Sequence, residues 1–370
     1  MANLLDIGTA IVLENLNIES QQVLPTPAEI KRLLRLSDTV SRSIAEHRRS
    51  IREVLTGADH RLLVVVGPCS IHDVDEALEY SKQLAHLARE IEDHVVVVMR
   101  AYFEKPRTTV GWKGFINDPY LDGSFRIDDG LRMARQLLCS ISELNLPLAT
   151  EALDPITPQY LHDLIAWSVI GARTTESQTH REMASGLSAP VGFKNGTDGG
   201  LEVALNAIES AGHPHRFLGI NAAGQVAITT TKGNPCAHIV LRGGSDGPNY
   251  QSERIEQCEQ ALKFRNLPVT IMVDCSHANS NKNYQHQRLV VEDIARQIIA
   301  GNRSIVGLML ESNINEGKQS HDPNKALQPG VSITDGCISF EETVALLRFL
   351  HSELGPSLKS RNLSTAASNK

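Results

Sequence analysis

Val95-Val96-Val97-Val98-Met99-Arg100, followed by Lys105-Pro106-Arg107-Thr108, decides how this chain is read. An apolar, β-branched run without alternation is a strand covered on both faces. Its exit carries three cations within eight residues. The pattern recurs at Ile170-Gly171-Ala172-Arg173, at Val191-Gly192-Phe193-Lys194 and at Ile239-Val240-Leu241-Arg242. A buried strand has no packing use for a cation at its end. A site that holds phosphates and carboxylates does.

Working outward, eight such runs can be marked, at 62–67, 95–100, 147–151, 168–172, 190–194, 237–242, 269–274 and 304–311. Helical patterns separate most of them, at 74–92, 128–144 and 285–300 for example. Strand and helix in regular alternation predict a parallel sheet closed into a (β/α)8 TIM barrel. An open doubly wound sheet is the rival, but no GxGxxG stands in the context that its dinucleotide-binding form needs. The interval between the fifth and sixth runs is long. It contains Phe217-Leu218-Gly219-Ile220 and Val226-Ala227-Ile228-Thr229, which predict an inserted β-hairpin at about 215–232. Residues 1–58 form an N-terminal extension with an amphipathic helix near 27–55, expected to serve regulation or oligomer contacts. The barrel occupies 59–355, and the small, polar stretch 356–370 is expected to be a disordered tail.

Composition excludes some classes. The 370 residues are 41% hydrophobic and 21% charged, with a formal net charge of -7. That balance speaks against nucleic acid as the main partner. No stretch reaches membrane-spanning length, and no signal peptide is visible. The six cysteines (Cys69, Cys139, Cys236, Cys258, Cys275, Cys337) form no CxxC, so reduced thiols in a cytoplasmic protein are expected.

In a barrel, chemistry collects at the C-terminal strand ends. Arg100, Lys105, Arg107, Arg173, Lys194 and Arg242 would share one mouth there. Two unit charges about 7 Å apart repel by roughly 2 kcal/mol at an effective dielectric of about 20. The expectation is therefore a ligand set with several negative charges. Cys69, His277, Glu311 and Asp335 supply a sulfur, an imidazole and two carboxylates at the same ends. That mixture suits one borderline divalent ion, Mn, Fe, Co or Zn, better than Mg or Ca. Cys275, two residues from His277, is a rival ligand. Glu151 and Asp335 are candidate acid–base groups among the cations. Each residue taken singly has a plainer reading: a paired surface cation, a small buried cysteine, a satisfied core histidine.

Jointly, Gly67–His72, Arg100–Thr109, Gly111–Gly114, Gly171–Ser177, Pro190–Thr197, Leu241–Gly244 and Asp274–His277 carry a family resemblance. The chain resembles the short, metal-dependent bacterial and fungal 3-deoxy-D-arabino-heptulosonate-7-phosphate synthases, the first enzymes of the shikimate pathway. The likeness covers about 60–350. It implies a (β/α)8 barrel, phosphoenolpyruvate and erythrose 4-phosphate as substrates, and Cys69, His277, Glu311 and Asp335 as metal ligands, in preference to Cys275. It implies that Arg100, Lys105, Ala172, Arg173, Lys194 and Arg242 bind phosphoenolpyruvate, with Glu151 lining the same pocket. Lys105, Pro106, Arg107 and Thr108 match the segment that holds the aldose phosphate. Lys105, Glu151 and Asp335 take the catalytic roles.

The resemblance also implies an aromatic amino-acid effector, bound by Pro158, Gln159, Leu187, Ser188, Phe217 and Gly219, and a homodimer or homotetramer. Gly219, where phenylalanine-sensitive forms carry serine, leaves room for a phenolic hydroxyl. Leu148–Asp154 is most similar to tyrosine-sensitive forms, so tyrosine is the expected inhibitor. The alternative use of Gly219 is to let the backbone bend. Two other readings remain beside the synthase: a non-catalytic phospholigand or amino-acid sensor, and a sister synthase using arabinose 5-phosphate.

Overall fold

The computed structural model describes residues 13–322 and 324–365. Eight parallel strands close on one another in the order β1-β10-β9-β8-β5-β4-β3-β2. They are β1 (Leu62–Gly67), β2 (Val95–Arg100), β3 (Leu148–Glu151), β4 (Trp167–Ile170), β5 (Val191–Lys194), β8 (Ala237–Leu241), β9 (Ile271–Asp274) and β10 (Ile305–Glu311). Each matches one apolar run of the sequence. Closure is made by β1 against β10, with Leu63 opposite Gly307 and Gly67 opposite Glu311. The helices α3 (Val74–Glu90), α4 (Ile127–Ser142), α5 (Thr157–Leu161), α6 (Gln178–Gly186), α7 (Glu202–Ala211), α8 (Ser252–Phe264), α9 (Gln287–Ile299) and α10 (Phe340–Thr365) surround the barrel.

The lack of alternation in the runs has a simple cause. Successive side chains point to opposite faces, and both faces are filled. Leu62, Val64 and Val66 pack outward with the helices. Leu63 and Val65 point into the barrel with Val96, Val98, Trp167, Val169, Val240, Met272 and Met309. Burying one such side chain contributes roughly 1.5–3 kcal/mol.

The N-terminal extension departs from expectation. One helix was predicted at 27–55; there are two, α1 (Pro27–Leu33) and α2 (Asp38–Leu55). The chain leaves helical geometry at Leu34, with ψ at 69°. It restarts where the Ser37 hydroxyl accepts the Val40 N–H. Thr26 and Glu29 form a reciprocal cap on α1. Ile51, Val54 and Leu55 of α2 belong to the barrel-interior cluster, and the Leu55 carbonyl accepts from Thr270 Oγ1 at 3.1 Å. The extension therefore stoppers the N-terminal end of the barrel. Residues 1–12 lie outside the described residues.

The hairpin is present as β6 (Arg216–Ile220) paired antiparallel with β7 (Val226–Thr230). The expected disordered tail is a correction: α10 runs on through Pro356 to Thr365. Its small polar residues masked a continuing apolar stripe, Leu347, Leu350, Leu354 and Leu358, all fully buried. The Arg361 guanidinium extends the docking by donating to the Asn302 and Ile305 carbonyls. Residues 366–370 lie outside the described residues.

Leu358→Ala tests this docking. It is expected to lower unfolding free energy by roughly 2–5 kcal/mol, read from urea denaturation. An unchanged midpoint would mean that the end of α10 does not pack on the barrel.

Candidate active site

Three strand ends and one loop meet at the C-terminal mouth. Cys69 follows β1, His277 follows β9, Glu311 ends β10 and Asp335 sits in the loop before α10. Donor atoms of Cys69, Glu311 and Asp335 all lie within 4.8 Å of one another. His277 Nε2 stands 3.9 Å from Glu311 Oε1. A thiol, an imidazole and two carboxylates converging this closely fit a borderline divalent ion. His277 reaches the site from a left-handed backbone turn, φ +57°, closed by the Lys282 N–H donating to its carbonyl at 2.7 Å. Cys275 is not among the donors gathered there; its thiol turns back to the Val273 carbonyl.

A second layer orients these groups. Asp274 Oδ2 is 3.0 Å from His277 Nδ1 and 2.7 Å from Lys194 Nζ. A carboxylate on Nδ1 directs the bare Nε2 to the mouth. Burial pushes the Asp274 carboxyl up, but Lys194 and His277 outweigh it and hold it well below the usual range. Gln287 Oε1 accepts the Glu311 N–H and its amide donates to the Glu311 carbonyl, which pins the end of β10. Burial, with Glu311 beside it, pushes the Cys69 thiol up to about 11, while Lys105 opposes. Burial also pushes Asp335 up, but Lys105 and His277 more than reverse this.

The six cations do not behave as one repelling set. Arg100 lies 3.2 Å from Glu311 Oε1 and stacks on Tyr102, 3.9 Å from the ring centre. Lys105 Nζ is 3.1 Å from Cys69 Sγ. Lys194 is paired with Asp274. Arg100 and Lys194 are thus neutralised by carboxylates, while Lys105 sits in the field of Glu311, Glu151 and Asp335. Arg173 and Arg242 instead line an open cleft of about 690 Å³ together with His277, Glu311 and Asp335. Burial and then the neighbouring Arg173 pull Arg242 below its ordinary value, against Asp274. An anion in the cleft would relieve both. Arg173 also donates to the Pro106 carbonyl, which ties Ala172 and the turn after β4 to the Lys105–Thr108 segment. Arg107 occupies an adjoining hollow with Trp112, His321 and Thr334, and Lys318 lines both spaces. Arg107 and Thr108 are exposed.

Glu151 ends β3 with its Oε1 buried and without a hydrogen-bond partner. A side chain at Gly171 would collide with this carboxylate, so glycine keeps the space around it. Glu104 lies nearby, accepting from Thr157 Oγ1 at 3.2 Å. Burial and Asp154 push its carboxyl up to about 8.

The residues expected to bind the effector fall on three segments, all touched by the N-terminal extension. Pro158 and Gln159 lie on α5, whose Tyr160 hydroxyl donates to the Pro25 carbonyl at 2.9 Å. Leu187 and Ser188 follow α6, and Arg52 donates to the Ser188 carbonyl at 2.9 Å. Phe217 and Gly219 lie on the hairpin, whose loop accepts the Ala28 N–H at Ala222. Gly219 pairs regularly with Ala227 and is not among the glycines with positive φ. It therefore serves no bend. A Cβ there would stand 2.6 Å from Thr229 Oγ1.

The sequence reading gave no role to Asp274, Gln287, Asn195 or Lys318. Asp274 and Asn195 sit at strand ends, and that position was the available signal. Asn195 Oδ1 accepts the Arg242 N–H at 2.8 Å and fixes that strand end. Gln287 on α9 and Lys318 in a long loop carried no local signal.

Comparison with known proteins bears on the family and the fold. Residues 29–348 match the family model described as the DAHP synthetase I family. The chain is 57% identical over 350 residues to the Escherichia coli "Phospho-2-dehydro-3-deoxyheptonate aldolase, Tyr-sensitive", covering 94% of this chain and 98% of that protein. It is 50% identical over 337 residues to the Phe-sensitive E. coli protein, covering 91% and 96%. A solved phospho-2-dehydro-3-deoxyheptonate aldolase from Francisella tularensis superposes with a TM-score of 0.88 at 47% identity, covering 91% of this chain and 98% of that one.

Two outcomes follow from the site. Asp274→Asn is expected to weaken divalent-metal affinity by roughly 10–100-fold in competition titrations against a chelator; unaltered affinity would remove Asp274 from the orienting layer. Glu104 is raised from 4.5 to about 8 in the fold. The folded state therefore prefers its protonated form, and the stability this gives is full below pH 4.5 and lost as pH rises through about 8. Glu104→Gln should accordingly gain stability over wild type at pH 9 but not at pH 4, measured by urea unfolding; equal differences at both pH values would contradict a raised pKa.

Proposed function

The chain belongs to the DAHP synthetase I family, and on that premise we propose how it works. It is a DAHP synthase: phosphoenolpyruvate, erythrose 4-phosphate and water give 3-deoxy-D-arabino-heptulosonate 7-phosphate and inorganic phosphate. This is the first step of the shikimate pathway, under feedback inhibition by tyrosine. The observation that carries the site assignment is the meeting of Cys69, Glu311 and Asp335 within 4.8 Å, with His277 beside them, in a cleft lined by Arg173 and Arg242.

Cys69, His277, Glu311 and Asp335 would hold one divalent ion of the Mn, Fe, Co or Zn kind. When bound, it supplies Lewis acidity toward the aldehyde oxygen. Arg173 and Arg242, which line the open cleft, take the phosphate and carboxylate of phosphoenolpyruvate; Arg100, Lys105 and Lys194 form the floor, and Ala172 the rim. Pro106, Arg107 and Thr108 take the phosphate of the aldose, with Lys318 bridging toward the first cleft. C3 of phosphoenolpyruvate bonds to the aldehyde carbon. Water adds at C2, and the C2–O bond to phosphate breaks. Lys105 supports proton delivery to the aldehyde oxygen: burial pulls it down, but Cys69, Glu311, Glu151 and Asp335 more than restore it, so it stays protonated. Glu151, with its unpartnered oxygen, takes the proton that the attacking water releases, and Asp335 shares this acid–base work. Holding both anions in line is a large part of the rate.

For regulation, Pro158, Gln159, Leu187, Ser188, Phe217 and Gly219 form the effector site with the N-terminal extension. The Thr229 hydroxyl beside Gly219 offers a partner to the tyrosine hydroxyl. Identity is higher to the Tyr-sensitive relative than to the Phe-sensitive one, 57% against 50%. The exposed apolar outer face of the hairpin, with Leu218 80%, Val226 79% and Ile228 64% exposed, favours a homodimer or homotetramer. None of the described helices is long and apolar enough to cross a membrane, and all six cysteines are free thiols. Both accord with a cytoplasmic enzyme.

One assay tests the reading. Phosphoenolpyruvate consumption is followed with erythrose 4-phosphate or arabinose 5-phosphate, with and without chelator, and then with each aromatic amino acid. Activity should require the four-carbon aldose, fall at least a hundredfold on metal removal and respond to tyrosine. Full turnover without metal would refute the ligand set, and indifference to millimolar tyrosine would refute the effector assignment.

A further inference from the structure

Asp93, His94 and His351 converge at the N-terminal end of the barrel, remote from the mouth. Asp93 and His94 form the turn that leads into β2, and His351 lies on α10. Their donor atoms all fall within 4.8 Å of one another. The two imidazoles stack, with ring centres 4.8 Å apart and planes tilted by 34°. Asp93 reaches both rings: Oδ1 lies 2.7 Å from His351 Nε2 and Oδ2 lies 3.5 Å from His94 Nε2.

The chemistry of His94 sharpens this picture. Its Nδ1 lies 3.2 Å from the His351 carbonyl oxygen. A carbonyl only accepts, so Nδ1 carries a proton and Nε2 is the ring nitrogen left to face Asp93. That nitrogen is buried, on a residue only 9% exposed, and has no hydrogen-bond partner. A buried imidazole nitrogen that faces a carboxylate without a hydrogen bond to it is a place a cation can fill. A backbone carbonyl on the far ring nitrogen is also the usual way a metal-binding histidine is oriented. Space for this ring is kept by Gly355, where a Cβ would stand 2.5 Å from His94 Cε1.

We propose that Asp93, His94 and His351 form a second divalent-metal site of the zinc class, separate from the mouth. Two imidazoles and one carboxylate suit Zn²⁺, with water completing a tetrahedron. The ion fastens the turn before β2 to α10. It neutralises Asp93 and takes His94 Nε2 as a ligand.

The test counts zinc. His351→Ala alters a partly exposed side chain with no part in the mouth, so turnover should be unchanged. It is expected to bind one equivalent of Zn²⁺ fewer than wild type in equilibrium dialysis. The same loss of one equivalent should separate Cys69→Ser/His351→Ala from Cys69→Ser, where the mouth site is already disabled. Zinc should raise the melting temperature of Cys69→Ser but not of the double variant. Equal zinc counts within both pairs, or an equal thermal response, would overturn the proposal without bearing on the active site.

Discussion

Charge that cannot be left bare is the constraint on which this structure rests. The strands are sheathed in hydrocarbon on both faces, so an ionised group at a strand end must find a counter-charge or a ligand. Arg100 finds Glu311, Lys194 finds Asp274, and Lys105 lies among Glu311, Glu151 and Asp335. Removing one member of such a pair strands the other in a low-dielectric setting, which costs far more than the pair contributes. These pairings hold the metal donors in register before any ligand arrives.

The pairing also divides the cations by task. Those already neutralised position the donors and shape the floor. Arg173 and Arg242 face open space with their charge uncompensated by close carboxylates, and so supply the attraction. Electrostatic preorganisation of this kind costs nothing at the moment of reaction, because the dipoles and charges are fixed beforehand.

Much of this was legible in the sequence. Eight apolar runs became eight barrel strands, and the hairpin fell where two strand-like pieces flanked a turn. Three of the four metal candidates stood at or just past strand ends, and a closed parallel barrel gathers strand ends into one place; Asp335 comes from the loop before α10. What stayed hidden was pairing at long range: nothing local says that Lys194 will meet Asp274 eighty positions later. The break between α1 and α2 was hidden because the apolar period runs through it, and only the Ser37 cap marks it. The helical tail was misread because small polar residues diluted a stripe of leucines. Asp93, His94 and His351 were passed over because their meeting depends on α10 folding back along the barrel.

One feature of the fold bears on how its control could have arisen. The helix carrying Ile51, Val54 and Leu55 is at once the floor of the catalytic barrel and the stem of the segment that touches every effector-lining element. Cutting the chain at residue 59 would not release a simpler, unregulated catalyst; it would open the underside of the barrel to water. The same helix thus closes the barrel and anchors the segment beside the proposed effector pocket.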